Sequence, residues 1–238
     1  MQYLGGKYRV APKFKPVINE IVPGDLPIWD AFCGGLGFAE AFPERDLLCT
    51  DVNPWLINLY TAWGAGWRPP EGLNKGIYNE YKRTKPENDP LTAFLGFGCS
   101  FAGKWFAGWA ANKKGTDYAA QCVRALDRAF TRERQIAFAR LNFLEESSTI
   151  PIVYCDPPYK GTKGYAAAAG FDHVKFWKRC ALLVERGQHV FVSEQIAPPD
   201  WGCVWEKDRK STTDIGVSKK LVTERLFYRG PASKVLYI

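Results

Sequence analysis

Leu26-Pro27-Ile28-Trp29-Asp30-Ala31-Phe32-Cys33-Gly34-Gly35-Leu36-Gly37 is the stretch whose reading decides the fold. Its apolar first half, Leu26 to Phe32, predicts a buried strand, and the glycines after it predict a tight turn. A helix is expected from Phe38 to Phe42. Strand, glycine turn, helix is the architecture of a nucleotide site, because glycines admit a ligand close to the backbone and a helix N-terminus offers free N–H groups. A second strand, Leu47 to Thr50, ends at Asp51. That acid follows Asp30 at about the spacing at which doubly wound folds present a carboxylate to ribose hydroxyls. Pro54 then opens a helix over Trp55 to Trp63. The turn is not the dinucleotide fingerprint G-x-G-x-x-G, since its third glycine is out of register.

Further along, Ile150-Pro151-Ile152-Val153-Tyr154-Cys155 reads as another short buried strand, and Asp156-Pro157-Pro158-Tyr159 follows it. Two prolines fix the backbone rigidly as it leaves the sheet. One carboxylate, one free carbonyl and one aromatic face are thereby gathered at the edge where open α/β folds bind ligands.

Upstream, residues 12–22 predict a helix with Phe14, Val17, Ile18, Ile21 and Val22 on one face. Gln135 to Glu145 predicts a third strand, ending in Asn142 and Phe143. The intervening residues 64–133 are too long and too irregular for a simple crossover. Glycines alternate with aromatics from Gly96 to Trp109, which predicts a hairpin or packed loop. A helix is expected from Asp117 to Arg132, capped by Thr116, with Tyr118, Cys122, Leu126 and Phe130 on its apolar face. Arg124, Arg128 and Arg132 stand four apart on another face, which suits either a phosphate backbone or plain solvation. This segment holds 11 Lys/Arg against 7 Asp/Glu, so +4 of the chain's formal +7 lies here. Lys104, Lys113, Lys114, Lys160 and Lys163 complete the candidate phosphate contacts. In the second half, a helix over His173 to Glu185 and a strand over His189 to Ser193 are expected. Two terminal strands follow, Leu221 to Tyr228 and Lys234 to Ile238, and a basic loop is expected from Lys207 to Lys220.

Composition narrows the function classes. The 238 residues, 46% hydrophobic, suit one compact α/β domain carrying an insertion. Seven cysteines without C-x-x-C spacing signal neither a zinc site nor a disulfide framework, and buried reduced thiols are expected. Neither histidine has a partner at triad or metal spacing, so both read as structural and no metal site is expected. No apolar run is long enough to span a membrane and no signal-peptide core is visible, so a cytoplasmic protein is expected.

Asp-Pro-Pro-Tyr, the turn after Asp30 and the opening Tyr3-Leu4-Gly5-Gly6-Lys7 together resemble the Dam-like, alpha-group, phage- or prophage-type DNA adenine-N6 methyltransferases. Asp30, Phe32 and Gly34 match that family's D-x-F-x-G-x-G loop, while Leu36 stands where the last glycine belongs. The resemblance runs from residue 2 to about 229 and includes Thr223-Glu224-Arg225-Leu226-Phe227-Tyr228-Arg229. It implies a Rossmann-like methyltransferase fold, a mixed seven-stranded sheet with helices on both faces. Residues 1–63 and 134–238 would form the catalytic domain and 64–133 the target-recognition region.

The resemblance also implies S-adenosyl-L-methionine as cofactor, S-adenosyl-L-homocysteine as product and double-stranded DNA as partner, in a monomer or weak dimer without metal. Cofactor contacts would come from Tyr3, Gly5, Gly6, Lys7, Asp30, Phe32, Cys33, Gly34, Gly35, Leu36, Gly37, Asp51, Asn53, Asn142, Phe143 and Asp156. Asp156, Pro157, Pro158 and Tyr159 would do the chemistry on a flipped-out adenine. Physically, Gly5 and Gly6 permit close approach, and Lys7 can meet a carboxylate or hold a neighbouring acid. Two readings compete: an RNA adenine methyltransferase, and a catalytically silent DNA-binding decoy of the same fold.

Overall fold

The computed structural model describes residues 1–130, 134–159, 170–210 and 221–231. Seven strands form one sheet: β1 Ile28–Asp30, β2 Leu47–Asp51, β3 Ile136–Arg140, β4 Ile152–Cys155, β5 His189–Glu194, β6 Gly202–Lys210 and β7 Leu221–Arg229. Their spatial order is β3-β2-β1-β4-β5-β7-β6. The first five run parallel, and β7 lies antiparallel between β5 and β6. This is a Rossmann-like α/β fold, with an antiparallel strand slipped between the fifth and sixth as in class I methyltransferases.

Both faces are covered, and strand alternation decides which side chain goes where. On one face Ile28, Leu47, Cys49, Ile152, Tyr154, Phe191 and Leu226 meet helices α1 (Ala11–Ile21) and α2 (Pro54–Gly64). On the other, Trp29, Val153, Cys155, Val190, Val192 and Phe227 meet α6 (His173–Glu185). Helix α6 begins where its sequence says. Asp172 caps it by accepting the Lys175 N–H at 2.9 Å, and Phe176, Cys180, Leu183 and Val184 form the buried stripe.

Between β2 and β3 lie α3 (Lys75–Thr84), α4 (Pro90–Ala93) and α5 (Tyr118–Ala129). A π-helical turn, Phe94–Gly98, continues α4. The glycine-aromatic segment is a packed loop closed by one bridge between Ser100 and Trp109. Its glycines make room for neighbours: a Cβ on Gly96 would lie 2.4 Å from the Trp105 ring, and one on Gly98 2.3 Å from the Cys122 sulfur. Tyr78 of α3 ties the loop down, its hydroxyl 3.0 Å from Ser100 Oγ and accepting the Gly108 N–H at 2.9 Å. Buried residues of this segment, among them Phe94, Leu95, Phe97, Cys122 and Leu126, belong to the same cluster as Ile28 and Leu47.

Several expectations need correction. Helices α3 and α4 and strand β6 were not legible. The expected helix at Phe38 to Phe42 is only a 3-10 turn, Ala39–Ala41. Pro43 stops it, and the Arg134 guanidinium takes the carbonyls of Ala39 and Phe42. Helix α5 is capped by Asp117, which accepts the Ala120 N–H at 2.9 Å, and not by Thr116, whose N–H is held by Asn112. The third strand stops at Arg140, because the Asn142 side chain accepts the Leu144 N–H and turns the chain. Lys207 to Lys210 belongs to β6 rather than to a loop. As an edge strand it carries charge instead of apolar alternation: Glu206 meets Arg225 at 3.0 Å and Asp208 accepts from Thr223 at 2.7 Å. Residues 211–220, the expected terminal strand Lys234 to Ile238, and Arg132, Lys160 and Lys163 lie outside the described residues. Among the described residues no helix is long and apolar enough to cross a membrane, and no cluster of metal-ligating side chains occurs. All seven cysteines are free thiols, and only Cys203 is exposed.

Phe143 packs in the cluster on the α6 face of the sheet, with ring centroids 5.5 Å from Trp29, 5.2 Å from Phe32 and 5.5 Å from Phe176. Phe143→Ala is expected to cost about 3–5 kcal/mol in a urea melt, as truncations of buried aromatics do. A loss under ~1 kcal/mol would show the cluster to be loosely packed.

Candidate active site

The carboxyl ends of three neighbouring strands, β2, β1 and β4, deliver Asp51, Asp30 and Asp156 to one edge of the sheet. The glycine turn leaves β1 there. Gly34 has φ +43 and Leu36 φ +62. Leu36 thus adopts the left-handed conformation that the resemblance assigns to a glycine, with its side chain fully buried.

What lies against the glycines is protein. A Cβ on Gly35 would come 2.5 Å from Tyr3 Cβ, and one on Gly34 2.9 Å from the Tyr3 ring. On Gly37 it would meet the backbone nitrogens of Tyr8 at 2.5 Å and Lys7 at 2.8 Å. The glycines therefore receive the N-terminal segment, which holds itself by a turn. Gly6 N–H donates to Tyr3 O at 3.0 Å, with Gly5 at φ +79 in the position such a turn reserves for glycine. Gly5 accordingly serves conformation: nothing lies within 4 Å of where its Cβ would be.

This segment delivers Lys7 to the motif after β4. Lys7 Nζ lies 2.8 Å from Asp156 Oδ1, 3.3 Å from Glu224 Oε1 and 4.7 Å from the centre of the Tyr159 ring. The Tyr159 hydroxyl donates to Glu224 Oε1 at 2.6 Å and lies 2.8 Å from Ser193 Oγ. Lys7 and Glu224 are buried. Burial alone would lower the Lys7 ammonium, but the Asp156 and Glu224 carboxylates outweigh it and hold it above its ordinary value. Burial, then Asp156 and Glu224, push the Tyr159 phenol well up, so it stays a neutral donor. The sequence reading missed Glu224 and Ser193 as site residues. A lone acid within the apolar strand at Leu226 and Phe227 was the available signal for Glu224.

Asp51 is committed locally: its oxygens accept the Asn53 N–H at 2.9 Å and the Gly34 N–H at 3.1 Å. Burial still raises its carboxyl, against the pull of those amides. Asn53 caps α2 by accepting the Trp55 N–H at 3.1 Å. Cys33 is a buried thiol whose N–H donates to Thr50 O, and Phe32 is half-buried against Phe143 and Phe176. Asn142 and Phe143 serve a turn and a core.

Asp30 differs. It is 0% exposed, and among the described residues no side chain hydrogen-bonds to either carboxylate oxygen. Burial first, then Asp156 and Asp51, raise its carboxyl well above the ordinary range, against the pull of the Phe32 backbone amide. A buried acid with no side-chain hydrogen-bond donor, beside two further carboxylates and a turn with left-handed backbone, is a set of groups that fits a cationic ligand such as the sulfonium and ammonium of S-adenosylmethionine.

The candidate phosphate contacts sit elsewhere. Lys104, Lys113, Lys114 and Arg124 are exposed. Arg128 is drawn to Glu40 at 2.5 Å, which gives it a structural task between α5 and the 3-10 turn. A cleft of about 510 Å³ between α2 and β3, lined by Tyr60, Arg68, Phe130 and Phe138 among others, includes none of Asp30, Asp51, Asp156 or the glycine turn. The histidines are structural neighbours of aromatics, His189 Nδ1 lying 2.8 Å from the Tyr228 hydroxyl and His173 packing on Phe171.

Because its carboxyl is raised in the folded state, Asp30 opposes folding once pH exceeds the ordinary aspartate value of about 3.9. The melting temperature of Asp30→Asn relative to the parent should therefore climb as pH rises from about 4 toward neutrality. A difference that stays flat with pH would mean that Asp30 is an ionised, partnered carboxylate.

No protein-family model and no curated protein sequence matches the chain. Among solved structures, a Haemophilus influenzae protein provisionally described as a methylase aligns over 92% of this chain and 97% of its own, at 13% identity and TM-score 0.39. An Escherichia coli protein, YhhF, provisionally described as a methyltransferase, aligns over 97% and 90%, at 12% identity and TM-score 0.40. SMU.472, provisionally described as a methyltransferase and solved with SAH, aligns over 95% of this chain at 13% identity and TM-score 0.38; the match spans 55% of SMU.472.

Proposed function

We propose that the chain is an S-adenosylmethionine-dependent methyltransferase acting on the N6 amino group of adenine in duplex DNA. One observation carries this reading: Asp156-Pro157-Pro158-Tyr159 leaves β4 beside the buried Asp30, and the segment that packs on the glycine turn also grips Asp156. Asp30 and the Gly34–Gly37 turn are the residues proposed to hold the cofactor. When bound, the cofactor supplies a methyl on a sulfonium, whose S–C bonding pair returns to sulfur as the new N–C bond forms.

The protein's task is then the amine. An exocyclic amine on adenine is a weak nucleophile because its lone pair is delocalised into the ring. The Asp156 carboxylate and the Pro157 carbonyl would accept its two hydrogens and favour a pyramidal nitrogen. The carboxylate would also oppose the positive charge that develops on nitrogen and pass its proton to water. The prolines fix both acceptors beforehand, so no search precedes reaction. Tyr159 is proposed as the aromatic surface for the flipped base, steadied by its hydrogen bond to Glu224 and by Lys7.

Residues 64–133 are proposed as the target-recognition region, with exposed Lys104, Lys113, Lys114 and Arg124 toward phosphates. Lys160, Lys163 and Arg132, outside the described residues, are assigned to the same role on sequence grounds.

Labelled-methyl transfer to duplex DNA tests the proposal. Asp156→Ala should lose at least 100-fold in kcat, on the order of what one transition-state group supplies, while keeping its circular dichroism. An active Asp156→Ala, or no transfer by the parent, sinks the assignment. Tyr159→Ala should raise KM for DNA more than it weakens cofactor binding, and an equal loss of both would remove the stacking role. Competition by RNA separates the remaining substrate reading.

A further inference from the structure

We infer that Glu224 is a positioning residue that shares Lys7 with Asp156 and so keeps Asp156 a strong acceptor for the target amine. The inference rests on the methyltransferase reading and adds a residue to it. Strand β7 runs antiparallel to β5 with Arg225 opposite Glu194, so position 224 lies at the carboxyl edge of the parallel strands. A carboxylate with 2% exposure is costly there unless it is partnered, and among the described residues Glu224 meets Tyr159, Lys7 and Ser193. Tyr159 Oη lies at 2.6 Å, Lys7 Nζ at 3.3 Å and Ser193 Oγ at 3.5 Å. Lys7 is thus stretched between Asp156 at 2.8 Å and Glu224 at 3.3 Å. A lysine committed to Asp156 alone would neutralise the oxygen that the amine needs. A second carboxylate on the same ammonium draws part of that charge away, and its own negative charge discourages further withdrawal of electron density from Asp156.

The groups facing this network are limited. Among the described residues, Lys7 comes from the N-terminal segment, Asp30 from β1, Tyr154 from β4, Asp156 and Tyr159 from its exit, Ser193 from β5 and Glu224 from β7. Lys7 is the cation among them. Arg225, the next residue in β7, is directed away, onto Glu206 and the Gln195 carbonyl.

Two substitutions should therefore displace Asp156 in opposite directions. Glu224→Gln keeps the shape and the Tyr159 contact but leaves Lys7 to Asp156, so the Asp156 carboxyl should titrate lower. Lys7→Met removes the cation, so it should titrate higher. Each shift should be about one unit or more, as a single neighbouring charge produces. Carbon-13 carboxyl NMR on the ligand-free protein reads this without any turnover. In the active enzyme, Glu224→Gln should lower kcat and move the acid limb of the kcat profile to lower pH, with KM for cofactor unchanged.

Shifts in the same direction, or none in Glu224→Gln, overturn the inference, because a merely structural Glu224 would leave Asp156 where it is. If Glu224→Gln does not fold, Glu224→Asp is read instead. Its withdrawn carboxylate should give a smaller shift of the same sign, and no shift counts against the inference. An active Asp156→Ala would end the methyltransferase reading but would leave the NMR result standing, so the two failures are distinguishable.

Discussion

One buried ammonium holds this site together. Lys7 meets the carboxylates of Asp156 and Glu224 and caps the Tyr159 ring, and three remote parts of the chain converge on it. Lys7 arrives only because Tyr3 to Tyr8 presses against the glycine turn, and the turn lies there only because β1 ends at Asp30 between β2 and β4. Remove the cation and the half-buried Asp156 and the buried Glu224 lose the ammonium between them, which favours protonation of one or the other.

The arrangement gives the motif after β4 a division of labour. Prolines set the backbone, and charge sets the side chains. Pro157 and Pro158 need no partner to hold their geometry, whereas Asp156 and Tyr159 are placed by ion pair and hydrogen bond. The glycine turn is likewise a seat for protein backbone, and Asp30 at the end of β1 is a buried acid that no side chain hydrogen-bonds among the described residues.

How much of this the sequence disclosed follows from the range of each interaction. Strands β2, β4 and β5 and helices α2 and α6 were legible because their signals are local: apolar runs closed by Asp51 or Asp156, a proline at the helix start, an Asp cap before a four-residue stripe. Strand β6 was not, because an edge strand exposes Glu206 and Asp208 where a central one would bury apolar residues. Helix α3 has a single buried residue, Tyr78, and offers almost no pattern. The glycine turn was located from its residues, but the packing of Tyr3, Lys7 and Tyr8 against it was not, because glycine reports close approach without naming the visitor. Glu224 was missed because its partners Lys7, Tyr159 and Ser193 are all remote from it in sequence.

The shared core beneath residues 64–130 has a practical meaning for anyone who would exchange that segment. A module on a hinge can be exchanged for another with its specificity intact. Here Phe94, Leu95, Phe97, Cys122 and Leu126 are walls of the same room as Ile28 and Leu47. Grafting a foreign segment would expose that wall unless its inner faces were recut to the host's contours.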